Sequence, residues 1–528
     1  MLERVVTNRW FALADLFIAI GGGLLWIFKP EIGALLIISI ALIPWVVRIL
    51  AGSLPFKGTL FDWLIVAFLM TAWVGYWAAY DRETAWSKVW LIVLAILLYY
   101  ALSTQPEENL DWICALLFCT GLGVSTYFFL THDFVALPRK LEFVNRIGRW
   151  VTGILPRPGW KPIHPNYVAG IAAITTPFIL YPIVKLVKKK NLFSSFLLIV
   201  SIAGITLALF AILMATSRGI IMAITSAFGI WGVWRIVDLK GSRLKFSREA
   251  IFPPLVLICL FLIVLFIYVG PANSGNALSN GYIYGTGSRG ELVSRSLYLL
   301  LDFPFTGGGL GSFPGLYSYY ILGIPNFYLP NSHNLFLDVA IEQGLLGGMS
   351  VLIIFLTSIW FTARTIEKSD TSLSRMFSWL ILFVTIIAFV HGMVDDYLYN
   401  GPGTFLLLSL AGLSTMVRPK VISLAHPVNL RVLGVVVLIL TGILLINFNR
   451  IRSIWNANIG AIKMAKAELA GFPSNQWTDA SILPQLKLAD NSLHSALRYD
   501  SFNETANYRL GMISMLGEIS TQLLTILK

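Results

Sequence analysis

Residues 10–28 read Trp-Phe-Ala-Leu-Ala-Asp-Leu-Phe-Ile-Ala-Ile-Gly-Gly-Gly-Leu-Leu-Trp-Ile-Phe, an apolar run interrupted by one acid, Asp15. At about 1.5 Å per residue such a run crosses the hydrocarbon of a bilayer as a helix. Arg4 and Arg9 precede it. The run is longer than a typical secretory signal core and no A-x-A cleavage site follows, so it is expected to be a retained first span. Similar runs begin near residues 31, 59, 86, 110, 163, 193, 217, 251, 334, 374, 402 and 429. They predict about thirteen spans, the fourth and twelfth short.

Composition agrees. Of 528 residues, 57% are hydrophobic and 12% charged, and the mean hydropathy is +0.75. Soluble domains carry about 25% charged residues, so a cytosolic enzyme, a secreted domain and a disordered tail are excluded. The expected class is an all-α polytopic membrane protein.

The net charge of +12 does not describe a nucleic-acid binder, because the cations sit in short loops between apolar runs rather than on one soluble face. Basic loops stay cytoplasmic. The Lys185–Lys190, Arg235–Arg248, Arg364–Arg375 and Arg418–Arg431 loops, the N-terminus and the Arg48/Lys57 loop all fall on one side. That places the N-terminus in the cytoplasm and the C-terminus outside. The basic loop around Arg139–Arg157 is an exception on the outer side. Cys114, Cys119 and Cys259 lie in apolar runs without metal-ligand spacing, which disfavours redox and zinc chemistry.

Two domains are expected: a membrane domain, 1–447, with extracytoplasmic loops 131–162 and 271–332, and an extracytoplasmic helical tail, 448–528. The long second loop is too rich in Tyr and Phe for disorder. The tail predicts helices over Ile451–Leu469, Leu486–Leu497 and Ala506–Leu527. Its Ala489, Leu493, Ala496, Tyr499, Asp500, Asn503, Ala506 and Tyr508 resemble the join between two tetratricopeptide repeats, though three repeats are usually needed for a solenoid. A helical cap and a docking module are equally compatible with it.

Chemistry must come from the few polar residues at the membrane. Asn331-Ser332-His333-Asn334 opens the tenth span, followed by Asp338, Glu342, Gly344 and Gly347. An imidazole titrating near pH 6.5 can take a proton from a hydroxyl; the bland alternative is a helix cap. Arg218 lies in the tight outer turn Thr216-Ser217-Arg218-Gly219, and Arg289 and Arg295 lie in the long outer loop. Guanidinium groups chelate phosphate oxygens bidentately, or snorkel to headgroups, the better account of Arg295. His164-Pro165-Asn166 opens the sixth span, where His164 could bind a ligand or cap the helix and capping suffices for Asn166. Asp395 and Asp396 close the eleventh span and could balance the arginines or bind an acceptor. The sequence has no DxD pair, so no metal is expected. The Gly307–Gly311 run follows no strand and is better read as a tight turn than as a nucleotide loop.

His333-Asn334, nine residues, Gly344, two residues and Gly347 match the His-Asn-x9-Gly-x-x-Gly signature of bacterial O-antigen ligases. His164-Pro165-Asn166, Ser217-Arg218-Gly219, Ser288-Arg289 and Asp302-Phe303-Pro304-Phe305-Thr306-Gly307-Gly308-Gly309 follow the same order. From His164 to Gly348 the chain resembles the O-antigen ligase and polymerase superfamily, which includes protein O-oligosaccharyltransferases. The resemblance implies a GT-C-type glycosyltransferase of the bacterial inner membrane, acting in cell-envelope lipopolysaccharide assembly. It implies an undecaprenyl diphosphate-linked glycan donor; a lipid, glycan or protein acceptor; and no cofactor. Arg218 and Arg289 would hold the diphosphate and His333 would serve the acceptor hydroxyl. His164, Asn166, Asn334, Glu342, Arg295 and Asp395 are the remaining candidate substrate contacts. One departure is Val293, where the family tends to carry Trp. The competing class, a lipid-glycan flippase or transporter, calls for inverted repeats and mid-bilayer polar groups; no convincing repeat is seen.

Overall fold

The computed structural model describes residues 2–139, 141–189, 191–240, 289–322, 329–369, 371–416, 441–442, 444–472 and 482–526. Every regular element among the described residues is helical. Seven of these helices are long and apolar enough to cross a membrane, which makes the chain a multi-pass membrane protein. The spans expected near 251 and 429 lie outside the described residues, and the count of thirteen is not reached within them.

The first span is α1 (Arg9–Phe28), capped by the Asn8 side chain, which accepts from Trp10 N. The expected second span is instead two short helices, α2 (Ala34–Ala41) and α3 (Ile43–Leu50). Pro44 cannot donate to the preceding turn, so a new helix begins there. Arg48, expected in a cytoplasmic loop, is buried in α3 with its guanidinium 2.5 Å from Asp15 of α1. Each charge cancels a partner that the bilayer would otherwise penalise. Next come α4 (Asp62–Ala78) and α5 (Arg82–Ser103). The latter is a full-length helix, not the short span expected, because Asp81 caps it through Glu83 N and Thr84 N five residues before the apolar run begins.

Then follow α6 (Leu110–Thr131), a surface helix α7 (Glu142–Ile154), and α8 (Pro165–Thr175), which passes through a 3-10 turn at Pro177 into α9 (Leu180–Val187). Next are α10 (Leu192–Ala215), α11 (Arg218–Lys240), α12 (Arg289–Asp302), α13 (Leu335–Lys368), α14 (Ser372–Gly392) and the short α15 (Ser409–Ser414). The tail is α16 (Phe448–Glu468), α17 (Leu483–Tyr499) and α18 (Glu504–Ile526).

Apolar all round and buried almost continuously from Val89 to Ser103, α5 is a central helix. It packs against α1, α4 and α15, whereas α8 packs against α6, α10 and α14. α13 lies against α4 and α14 and so joins the two groups. The tail is stapled to the rest. Arg509 of α18 pairs with Asp302 at 2.7 Å; Asn458 of α16 accepts from Phe305 N and Thr306 N; and Glu468 accepts from Tyr319 and Tyr320.

Candidate active site

Three helices start, and one ends, at the same place. Asn334 caps α13 by accepting from Phe336 N and Leu337 N, and its amide donates to Met393 O, just past the end of α14. His164 caps α8 through Nδ1, which accepts from Asn166 N at 3.3 Å. The side chain of Asn166 then donates to Asp395 Oδ2 at 2.7 Å, and Tyr167 OH donates to Asp396 Oδ1 at 2.9 Å. α11 arrives through Gly219: a Cβ there would sit 2.8 Å from Val394 Cγ2 and 3.1 Å from His391 Cδ2. Only glycine lets the Arg218 turn approach the Asp395 loop so closely. Arg218 itself is exposed.

His333 stands in the middle of this end. Its N–H donates to Asn331 Oδ1 at 3.1 Å, and the Asn331 side chain donates on to Tyr167 OH. The neighbouring Ser332 N donates to Asp338 Oδ1 at 2.8 Å. The imidazole Nδ1 lies 4.0 Å from Asp395 Oδ2, with the His333 side chain 28% exposed and that of Asp395 fully buried. Among the described residues, Thr216 and His333 are the non-glycine positions with positive φ, 49° and 56°. One precedes the Arg218 helix and the other is the candidate base. Such backbone costs about 1–3 kcal/mol and persists where the surroundings enforce it. Burial first, then the charges of Asp338 and Asp395, push the Asp396 carboxyl well above the ordinary carboxylate range.

The Gly-x-x-Gly part of the signature makes a helix break. Gly344 has φ 81° and ψ 171°, so α13 is a half-helix, Leu335–Gln343, followed by a longer one. The carbonyls orphaned by the break are taken up by the glycine-rich turn. Gly308 N donates to Ile341 O at 2.7 Å and Gly309 N to Glu342 O at 3.2 Å, while Leu345 N donates back to Pro304 O at 2.8 Å. This junction fixes α12, because Asp302 ends that helix just before Pro304. Leu292 and Leu299 of α12 share an apolar cluster with Leu337 and Ile341 of the half-helix. The two helices therefore finish at one level and run side by side. Fourteen residues span about 21 Å and nine about 14 Å, so Arg289, the first residue of α12, has its backbone toward the end that carries His333.

Other candidates stand apart or are internally engaged. Arg295 pairs with Glu291 one turn away, at 2.5 Å, both half-exposed. Glu342 is buried against Lys88 of α5, Nζ to Oε2 2.6 Å. The ammonium of Lys88 also sits 3.7 Å above the Tyr399 ring, and Gln343 bridges Tyr399 OH to Thr71. Sequence reasoning missed Lys88 and Tyr167. The signal for Lys88 was present: it is a cation within an apolar span, which the rule for intramembrane charges marks at once. Tyr167 carried no such mark, because an aromatic beside a helix start reads as packing.

No curated protein matches the chain. Residues 202–352 match the family model described as O-antigen ligase. The matched stretch takes in the Arg218 turn, α12 and the half-helix behind His333. Over residues 202–352, less than a third of its length, the chain is similar to O-antigen ligases.

Proposed function

We propose that the protein is an O-antigen ligase-type glycosyltransferase of the bacterial inner membrane. It moves a glycan from undecaprenyl diphosphate to an acceptor hydroxyl on the extracytoplasmic face, with the N-terminus cytoplasmic and the C-terminus outside. The observation that carries this reading is the meeting of a strained, part-exposed His333 with buried Asp395 and the Arg218 turn at one end of the bundle.

In this reading the helix starts at Arg218 and Arg289 direct positive dipole ends and guanidinium forks at the diphosphate. His333 takes the proton of the acceptor hydroxyl. The freed oxygen attacks the anomeric carbon from the face opposite the diphosphate and inverts it. The carbon–oxygen bond to the diphosphate breaks, and undecaprenyl diphosphate departs with the electron pair. Asp395 faces the imidazole and stabilises its protonated form, while Asn166 fixes that carboxylate. General-base help is worth about 10²–10⁴-fold, and each charge donor at a leaving group about 10²–10³-fold. Asn334 and His164 shape the site as caps, and Glu342 holds the half-helix through Lys88.

The test is transfer by purified protein in proteoliposomes supplied with a lipid-linked glycan. His333→Ala, Arg218→Ala and Arg289→Ala should each lose at least about 100-fold in rate with thermal stability retained. Wild-type turnover by His333→Ala would overturn the reading. Product analysis separates transfer to lipid (ligase), to another glycan (polymerase) and to a protein hydroxyl (oligosaccharyltransferase).

A further inference from the structure

The surface helix α7 has three faces where an amphipathic helix has two. Val144, Gly148 and Val151 turn inward and are buried; Val144 and Val151 join Phe128, Phe134, Val168 and Met214 in one cluster. A second stripe, Phe143, Trp150 and Ile154, recurs at i, i+7 and i+11 and is exposed, at 51%, 67% and 59%. A third carries Arg146 and Arg149, both exposed; Arg149 shares Glu142 at 2.9 Å. At 3.6 residues per turn the apolar stripe lies between the buried face and the cationic one.

The helix is held rigidly at the level where spans end. Asn145 exchanges hydrogen bonds with the Arg139 backbone, and the Arg139 guanidinium donates to Ala215 O, the last residue of α10. Arg157 donates to His132 O, just past α6, at 2.8 Å. Pinned to two span ends, α7 would border the surface of a bilayer with its core face sideways. Its exposed apolar stripe then faces acyl chains and its arginines face headgroup phosphates. This is also the loop whose basic charge breaks the cytoplasmic rule, and a cationic shelf on the opposite side calls for an anionic occupant.

We propose that α7 is an interfacial helix whose Arg146 and Arg149 bind phosphate-bearing, net-anionic lipid headgroups in the leaflet where His333 sits. The shelf ends a short loop before His164, so lipid held there borders the candidate site.

The experiment uses the full-length chain with its cysteines replaced by alanine, a bimane fluorophore on Ile154→Cys, and nanodiscs carrying doxyl-labelled lipid. Strong quenching by a doxyl near the headgroup, and weak quenching by one at the chain end, is the expected depth signature. An unquenched fluorophore overturns the proposal. In native mass spectrometry, phosphatidylglycerol should outcompete phosphatidylcholine, and Arg146→Gln and Arg149→Gln should each weaken that preference about fivefold. An unchanged preference in the double variant overturns the arginine assignment. Displacement of phosphatidylglycerol by millimolar inorganic phosphate would show a free-phosphate site and overturn the lipid one. None of these readouts depends on glycan transfer.

Discussion

Lys88 and Glu342 meet at 2.6 Å across 254 residues of sequence, Glu342 buried and Lys88 mostly so, with 12% of its side chain exposed. Removing one partner strands a charge among apolar helices, at a cost of about 3–5 kcal/mol, whereas replacing both with apolar side chains is often close to neutral. Lys88→Met should therefore destabilise strongly and Lys88→Met with Glu342→Leu should recover most of the loss. Unfolding free energies in detergent measure the coupling; simple additivity of the two single costs would refute it.

His333 occupies a left-handed conformation that glycine adopts freely. His333→Gly should keep or slightly raise thermal stability while abolishing glycan transfer. A clear drop in stability would mean that the imidazole supports the fold more than the backbone strains it.

Gly344→Ala meets two obstacles: a φ of 81° and a Cβ only 2.3 Å from Phe305 O. The expected cost is above about 2 kcal/mol, with faster proteolysis between Phe303 and Phe313. Gly153, around which a Cβ meets nothing within 4 Å, is the control. Alanine there should be neutral or stabilising by up to about 1 kcal/mol. Equal behaviour of the two variants would contradict the helix break.

His132 lies against the rings of Phe128 and Phe134. Burial, and next the charge of Arg139, lower its pKa to about 4. The unfolded chain protonates this imidazole near pH 6.5, so its contribution to stability is complete above that value. It shrinks as the pH falls toward 4. Thermal melts from pH 7 to pH 4 should show this decline, and His132→Gln should flatten it; parallel curves would exclude His132 as its source.

The helical class, the alternation of spans and loops, and the ordered polar motifs were legible because each is local: apolar length, charge and spacing. The His333–Asn334 and Gly344–Gly347 pattern was recognisable, but its meaning was not. A sequence shows two glycines near a helix start and cannot show that Gly344 breaks the helix to receive Gly308 and Gly309. The pairings of Arg48 and Glu342 were hidden for one reason. Their partners, Asp15 and Lys88, lie in other spans, and intramembrane charge pairs are set by packing between helices rather than by neighbours in the chain. The role of the tail was hidden likewise, since Asp302 and Arg509 are 207 residues apart.

That last pair imposes a parity rule. Because Asp302 and Arg509 touch at 2.7 Å, they belong to one side of the bilayer, and the chain between them must traverse the lipid an even number of times. The same holds for Trp77 and Lys466, whose ammonium donates to the Trp77 carbonyl. Any topology map drawn from reporter fusions has to satisfy both conditions. A fusion that cuts the chain before residue 509 also leaves Asp302 without its counter-ion, so it reports on a polypeptide whose Arg289 helix lacks its anchor.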